Sequence, residues 1–171
     1  ERLLAMNQRK QRERWKLALP SRYYDFFSNG EARVVTEHAE TMDLMYEAYC
    51  YIFQYQKPLK KPIAVLMYEN QESYMRVTGQ ASNRLGYYDP NINEILTYHV
   101  GPGAPMTLKE ILFHEGTHQF QDFLGEEGGF LRNCRTWFAE GLAVYFEGAE
   151  IREGRVATGM APGNPLSQIQ W

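Results

Sequence analysis

The sequence predicts an α+β domain in which a small mixed sheet packs against one long helix, which a second helix follows. Three observations support this class. A continuous apolar run at 63–68 suits a buried strand, and two further strand-like runs flank a turn at 89–93. Apolar residues recur at spacings of three and four over 39–56, which is typical of an amphipathic helix. Two helix-like runs, 106–125 and 136–146, come after the strands.

Residues 1–22 form a basic N-terminal segment, with seven Lys or Arg against two Glu. The segment predicts a helix that ends before Pro20 and precedes the main domain at 23–171. A solvated basic helix lying on an acidic body is the simpler interpretation. Contact with nucleic acid or a membrane is the alternative, although the apolar stripe at the end of the segment is short.

A hairpin and a long helix are predicted next. Runs rich in aromatic and β-branched residues at 23–27 and 32–38 flank an Asn-Gly turn signal at 28–31, which favours a β-hairpin. The helix over 39–56 places Met and Tyr residues on one face, where they belong to a hydrophobic core. His38, at the end of the second run, is interpreted as a hydrogen-bonded structural histidine.

The middle of the chain alternates between strands and a helix. A loop at 57–62 precedes the strand at 63–68, and a short helix is predicted at 71–77. The runs 85–88 and 94–100 then predict a second hairpin.

The run 106–125 contains the pattern His-Glu-x-x-His at 114–118. Residues four apart on a helix share one face, so His114 and His118 can direct their imidazoles at a single metal ion. Glu115, one step round the helix, can reach a water on that ion. Such a pair is typical of catalytic zinc sites, which need a third protein ligand and keep one position open.

Glu140 is the candidate for the third ligand. It lies on the predicted helix at 136–146, 22 residues after His118. The segment between them contains Gly125, Gly128 and Gly129, which allows the chain to return. Small residues beside Glu140, at 141 and 143, allow the two helices to approach closely.

These residues resemble the gluzincins, and in particular poorly characterised bacterial peptidase-MA-like domains. The likeness is carried by His114, Glu115, His118, Gln119 and the run Trp-Phe-Ala-Glu-Gly-Leu-Ala at 137–143. It implies a zincin-like fold and a zinc metallopeptidase that hydrolyses peptide bonds. His114, His118 and Glu140 would then be the zinc ligands and Glu115 the general base. The order of the preceding strands and helices also fits.

The sequence departs from the family in one respect. Gluzincins of the thermolysin type carry an Asp four residues after the ligand Glu, where it orients a ligand histidine, but here that position is Val144. We therefore expect His114 to use another acceptor. Asp122, one turn beyond His118, is a candidate for a carboxylate behind the ligands, with a solvent-facing cap as the simpler alternative.

The resemblance also places the strand at 94–100 at the sheet edge beside the cleft, where an extended peptide could pair with it. The alternative is a strand that the loop at 101–103 simply caps. His99, near the start of the metal helix, is a candidate for a role beside the ligands or the substrate.

A small hairpin is predicted around Glu153-Gly154, and 163–171 predicts the start of another helix. Zincins usually take an oxyanion-stabilising group from the segment after the ligand Glu. We expect that group to lie beyond Trp171, so that the domain over 23–171 lacks a C-terminal piece. Tyr145 is the nearest candidate within the sequence.

Composition restricts the function and the compartment. The net charge of −3 argues against a general nucleic-acid binder, and no run of about 18 apolar residues predicts a transmembrane segment. Cys50 and Cys134 are either two separate thiols or one disulfide, which would suit an exported protein. Resemblance to exported bacterial peptidases favours an extracellular or periplasmic location. The oligomeric state is left open.

Three functions are compatible with these patterns. The first is a zinc peptidase that acts on a peptide or protein. The second is a zincin-fold binding or scaffolding module with little or no catalytic activity. The third, a purely structural zinc site, is disfavoured because such sites use four protein ligands and have no need of Glu115.

Overall fold

The computed structural model describes residues 1–126 and 134–159. Within them the chain forms helices and strands in this order: α1 Arg2–Glu13, β1 Leu17–Pro20, β2 Tyr24–Ser28, α2 Ala32–Ile52, β3 Ile63–Tyr68, α3 Gln71–Thr78, β4 Gly86–Asp89, β5 Glu94–Tyr98, α4 Leu108–Glu126, α5 Thr136–Glu147, β6 Glu150–Arg152 and β7 Arg155–Ala157. The predicted α+β class is confirmed. The predicted start of a helix at 163–171, and Gly128 and Gly129 between the last two helices, lie outside the described residues.

The five-stranded sheet is mixed, with the strand order β1-β2-β3-β5-β4. Strands β2, β3 and β5 are parallel, whereas β1 and β4 pair antiparallel at the two edges. The expectation that the strand at 94–100 lies at the edge is therefore wrong. Strand β5 lies between β3 and β4. Ile95 to Tyr98 are all buried, which suits a strand covered on both faces. The edge beside α4 is β4.

The predicted hairpin at 23–38 is also wrong, since its second half is the beginning of α2. Val35 and Ala39 extend the buried stripe that continues through Met42 to Tyr49, and this helical period outweighs the β-branched composition. The Asn-Gly signal belongs to a strand-to-helix loop. A Cβ on Gly30 would lie 2.0 Å from His99 Nε2, so only glycine fits there.

The N-terminal segment ends its helix earlier than predicted. Arg14 adopts a left-handed conformation (φ 61°) after Glu13, and residues 17–20 join the sheet as β1. Arg2 pairs with Asp25 and Arg9 with Glu94, so the basic helix does lie on acidic groups.

The sheet has a hydrophobic core on each face. The main core lies between the sheet and α2, α4 and α5, and includes Phe26, Val65 and Ile95. The second core lies under α1 and α3 and includes Met6 and Trp15. Among the described residues, no helix is both long enough and apolar enough to cross a membrane. The site helix α4 thus lies on the main-core face, next to β4.

Two shorter predictions have clear outcomes. Strands β6 and β7 form the predicted hairpin, with Glu153 and Gly154 both at positive φ in its turn. Cys50 and Cys134 are both free thiols, so the disulfide alternative is not what the structure contains.

Candidate metal centre

The metal-site helix α4 is fixed to α2 by a buried tyrosine. The Tyr49 hydroxyl donates to the Phe113 carbonyl oxygen (2.9 Å) and contacts Thr117 Oγ1 (2.8 Å). Gly116 packs against Met42, and a Cβ at this glycine would lie 3.1 Å from Met42 Cε. These contacts bury one side of α4 and leave the side of His114 and His118 facing α5.

The structure brings the three predicted ligands together. The Nε2 atoms of His114 and His118 lie 3.2 Å apart, and Glu140 Oε2 lies 3.4 Å from the first and 3.5 Å from the second. Atoms bound at about 2.0–2.1 Å to one tetrahedral ion lie roughly 3.3 Å apart. The group therefore fits a single cation without rearrangement, and no other such group of His, Cys, Asp or Glu occurs in the described part of the chain.

The pKa values of His114 and Glu140 show which charges this cluster favours. Burial alone would lower the pKa of His114, but its hydrogen bonds to Glu140 and Glu147 outweigh that effect and raise the pKa to about 10. Hydrogen bonds from His114 and His118 hold the pKa of Glu140 well below its usual range. The site thus favours positive charge between the imidazoles and the carboxylate.

Glu147 orients His114, and sequence reasoning missed it. Its Oε2 lies 2.9 Å from His114 Nδ1, and the side chain is only 2% exposed. It takes the role that Val144 cannot fill, from a position seven residues after Glu140. The available signal was an acidic residue two turns beyond Glu140, on the same face of α5.

His118 is oriented by a second missed residue. Gln121 Oε1 lies 3.3 Å from His118 Nδ1, and Gln121 Nε2 donates to the Ala139 carbonyl oxygen (2.9 Å). One amide therefore connects the metal helix α4 to the helix that carries Glu140.

Glu115 lies against the edge strand. Its Oε2 accepts a hydrogen bond from the Tyr88 backbone N–H (2.9 Å). Burial raises the pKa of Glu115, in spite of the nearby His114 and His118. Gly86 makes this approach possible, because a Cβ there would lie 3.0 Å from Glu115 Cγ and 2.7 Å from Ile111 Cγ2.

The other candidates lie outside the ligand group. Within the described residues, Asp122 forms no hydrogen bond with His114 or His118, and its Oδ2 accepts the Tyr88 hydroxyl (2.9 Å). His99 Nε2 forms a hydrogen bond with Ser28 Oγ (2.9 Å), where strands β2 and β5 end. His38 bonds the Val34 carbonyl oxygen within α2, as a structural histidine does. Tyr145 is exposed and contacts Thr158.

A cleft of about 760 Å³ opens beside the ligands. Residues of α4 form its floor, the β4 turn forms one wall, and the start of α5 forms the other. Residues that line the cleft include His118, Asp122, Gly125, Tyr88, Asn91 and Glu140.

The fold and site together define an α+β protein with a candidate metal centre beside an open cleft. No family model matches the chain, and no curated protein matches it.

Proposed function

We propose that this protein is a zinc-dependent peptidase with a zincin-like fold, in which His114, His118 and Glu140 hold the ion. The observation that carries this proposal is the 3.2–3.5 Å spacing of the three ligand atoms. Two imidazoles and one carboxylate are the donor set of catalytic zinc sites. Three ligands, rather than four, leave a position for water or substrate.

When bound, Zn²⁺ would lower the pKa of a coordinated water towards about 7 and polarise a carbonyl oxygen. Glu115 supplies the proton transfer. Burial raises the pKa of Glu115, which favours its taking up a proton and returning it to the leaving amine. Since Tyr88 N–H engages Oε2, Oε1 is the oxygen available to take the proton.

The edge strand β4 supports a peptide as the substrate. It pairs with β5 on one side only among the described residues, and it borders α4. An extended peptide can add to such an edge through backbone hydrogen bonds.

Metal content and peptide cleavage test the proposal together. The purified chain is loaded with zinc, analysed for metal per chain, and incubated with a mixed peptide library whose products are identified by mass spectrometry. We expect one zinc per chain and cleavage that the Glu115→Gln form lacks. Zinc without cleavage would instead indicate the binding-module function, and failure to bind any divalent metal would overturn the site.

The contact between Glu147 and His114 predicts an effect on zinc affinity. We expect Glu147→Ala to weaken zinc binding by about 100-fold and Glu147→Gln by about 10-fold, because Gln keeps an oxygen for His114 but loses the charge. Competition with a chromophoric chelator measures both. Glu150→Gln, which changes an exposed carboxylate paired with Arg152, serves as the control. Wild-type affinity in both Glu147 variants would show that His114 is held by other contacts.

The close approach of Gly86 to Glu115 predicts an effect on catalysis. We expect Gly86→Ala to displace the Glu115 carboxylate, lowering kcat by about 10- to 100-fold while KM and zinc content change little. Overpacking against Ile111 should also cost about 1–3 kcal/mol of unfolding free energy. Gly101→Ala is the matched control, since a Cβ there would meet no atom within 4 Å. An unchanged kcat would show that Glu115 tolerates the shift.

A further inference from the structure

Among the residues that the structure describes, the carboxylate of Asp122 lies in the cleft without a basic partner. It follows His118 by one helical turn on the floor of the cleft, and the side chain is partly exposed. Its Oδ2 accepts the Tyr88 hydroxyl, which is a neutral donor. No Lys, Arg or His within the described ranges forms an ion pair with it, and none of the cleft-lining residues in those ranges is Lys or Arg.

The charge balance of the site makes this carboxylate significant. With zinc bound, the charges of Glu140 and Glu147 offset the two positive charges of the ion. The carboxylate of Asp122 then leaves the cleft with a net negative potential, which low-dielectric walls concentrate. A substrate group that carries positive charge would be attracted, and an acidic one repelled.

We propose that Asp122 selects substrates with a Lys or Arg side chain close to the scissile bond. This inference rests on the proposed peptidase function and specifies its substrate class. Asp122 lies one helical turn beyond His118 on α4. At that position it would contact a side chain of the substrate and not the reacting carbonyl. Asn91 and Gly125 border the same part of the cleft and offer no competing charge.

The test uses one peptide that the zinc-loaded protein cleaves in the library. Each position flanking the scissile bond is occupied in turn by Lys, norleucine or Glu, where norleucine keeps the four side-chain carbons of Lys and lacks the charged ammonium group. We expect one position at which Lys raises kcat/KM about tenfold over norleucine and Glu lowers it. Raising the salt from about 0.05 to 0.5 M should reduce this ratio, because a partly exposed charge pair is screened.

Two variants separate charge from structure. Asp122→Asn keeps an oxygen for the Tyr88 hydroxyl but removes the charge, so the Lys-to-norleucine ratio should fall to within about twofold of unity. Tyr88→Phe removes the hydrogen bond but leaves the charge, so the ratio should persist. The same Lys and norleucine peptides are also compared by fluorescence anisotropy on the Glu115→Gln form, where binding is measured without turnover.

The possible results have distinct meanings. Absence of a Lys preference in a protein that does cleave peptides would overturn the inference and leave the peptidase function intact. A preference that persists in Asp122→Asn would also overturn it, because another group would then recognise the charge. Failure to cleave or bind any peptide would overturn the proposed function and this inference with it.

Discussion

Glu115→Gln is expected to lower kcat/KM by about 10²–10⁴-fold while the protein keeps its zinc. The substitution preserves shape and leaves an oxygen that can still accept the Tyr88 N–H, so the side chain should stay in place. What it removes is the ability to take up a proton. Zinc content by elemental analysis and steady-state kinetics on a cleaved peptide measure the two effects separately.

The matched control for this variant is Glu110→Gln on the same helix. Glu110 Oε2 accepts from the Thr107 N–H at the start of α4, a contact that an amide oxygen can retain. We expect its activity to match that of wild type. If Glu115→Gln kept more than about a tenth of the wild-type activity, Glu115 would not be the general base.

His118→Ala is expected to abolish both zinc binding and turnover. Two ligands remain after the substitution, and the lost imidazole also supplied a hydrogen bond to Glu140. A protein that binds zinc is stabilised by it, by about 2.7 kcal/mol when free zinc is 100 times Kd. Wild type should therefore melt at a higher temperature with zinc than without it, and His118→Ala should show no such shift.

His38→Ala controls for the loss of a histidine as such. Among the described residues His38 forms a hydrogen bond with a carbonyl of its own helix, away from the candidate site, so the variant should retain the zinc-dependent rise in Tm. A variant at His118 that still binds zinc with wild-type affinity would exclude this residue from the ligand set. It would also remove the basis for the assigned role of Glu115.

The substitutions at Glu115 and His118 differ from those at Glu147 and Gly86 in the groups that they remove. Under the proposed function Glu115 would carry the reacting proton and His118 would hold the ion, so their loss would not be compensated. Glu147 and Gly86 only hold these groups in place, and partial function should survive. The ranking of the four effects is therefore itself a test of the assigned roles.

The candidate site was predictable because its signal is local. His114, Glu115 and His118 fall within one helical turn, and the period of a helix alone places the two imidazoles together. Glu140 lies on a second helix, and the small residues at 141 and 143 predict that this helix can approach α4 closely. Glu147 shares the face of α5 that carries Glu140, but its contact with His114 also depends on the position of α5 along α4, which the sequence does not specify.

The errors in the fold have a common physical cause. Residues 32–38 and 17–20 are short segments whose composition is compatible with more than one state, and tertiary contacts decide between them. For 32–38 the deciding factor is the row of α2 side chains from Val35 to Tyr49, which are buried in the main core. The interior position of β5 depends on strand order, which the composition of a single hairpin does not specify.

Met6 of α1 and Trp15, which follows that helix, are buried in the second core, and this has a practical consequence for protein engineering. A version shortened to begin at residue 23 would lose β1 and both of these side chains, and Phe27 and Leu66 would become solvent-facing beside an unpaired strand. Open apolar strands of this kind invite self-association. Fusion tags are therefore better attached ahead of residue 1 than substituted for the first 22 residues.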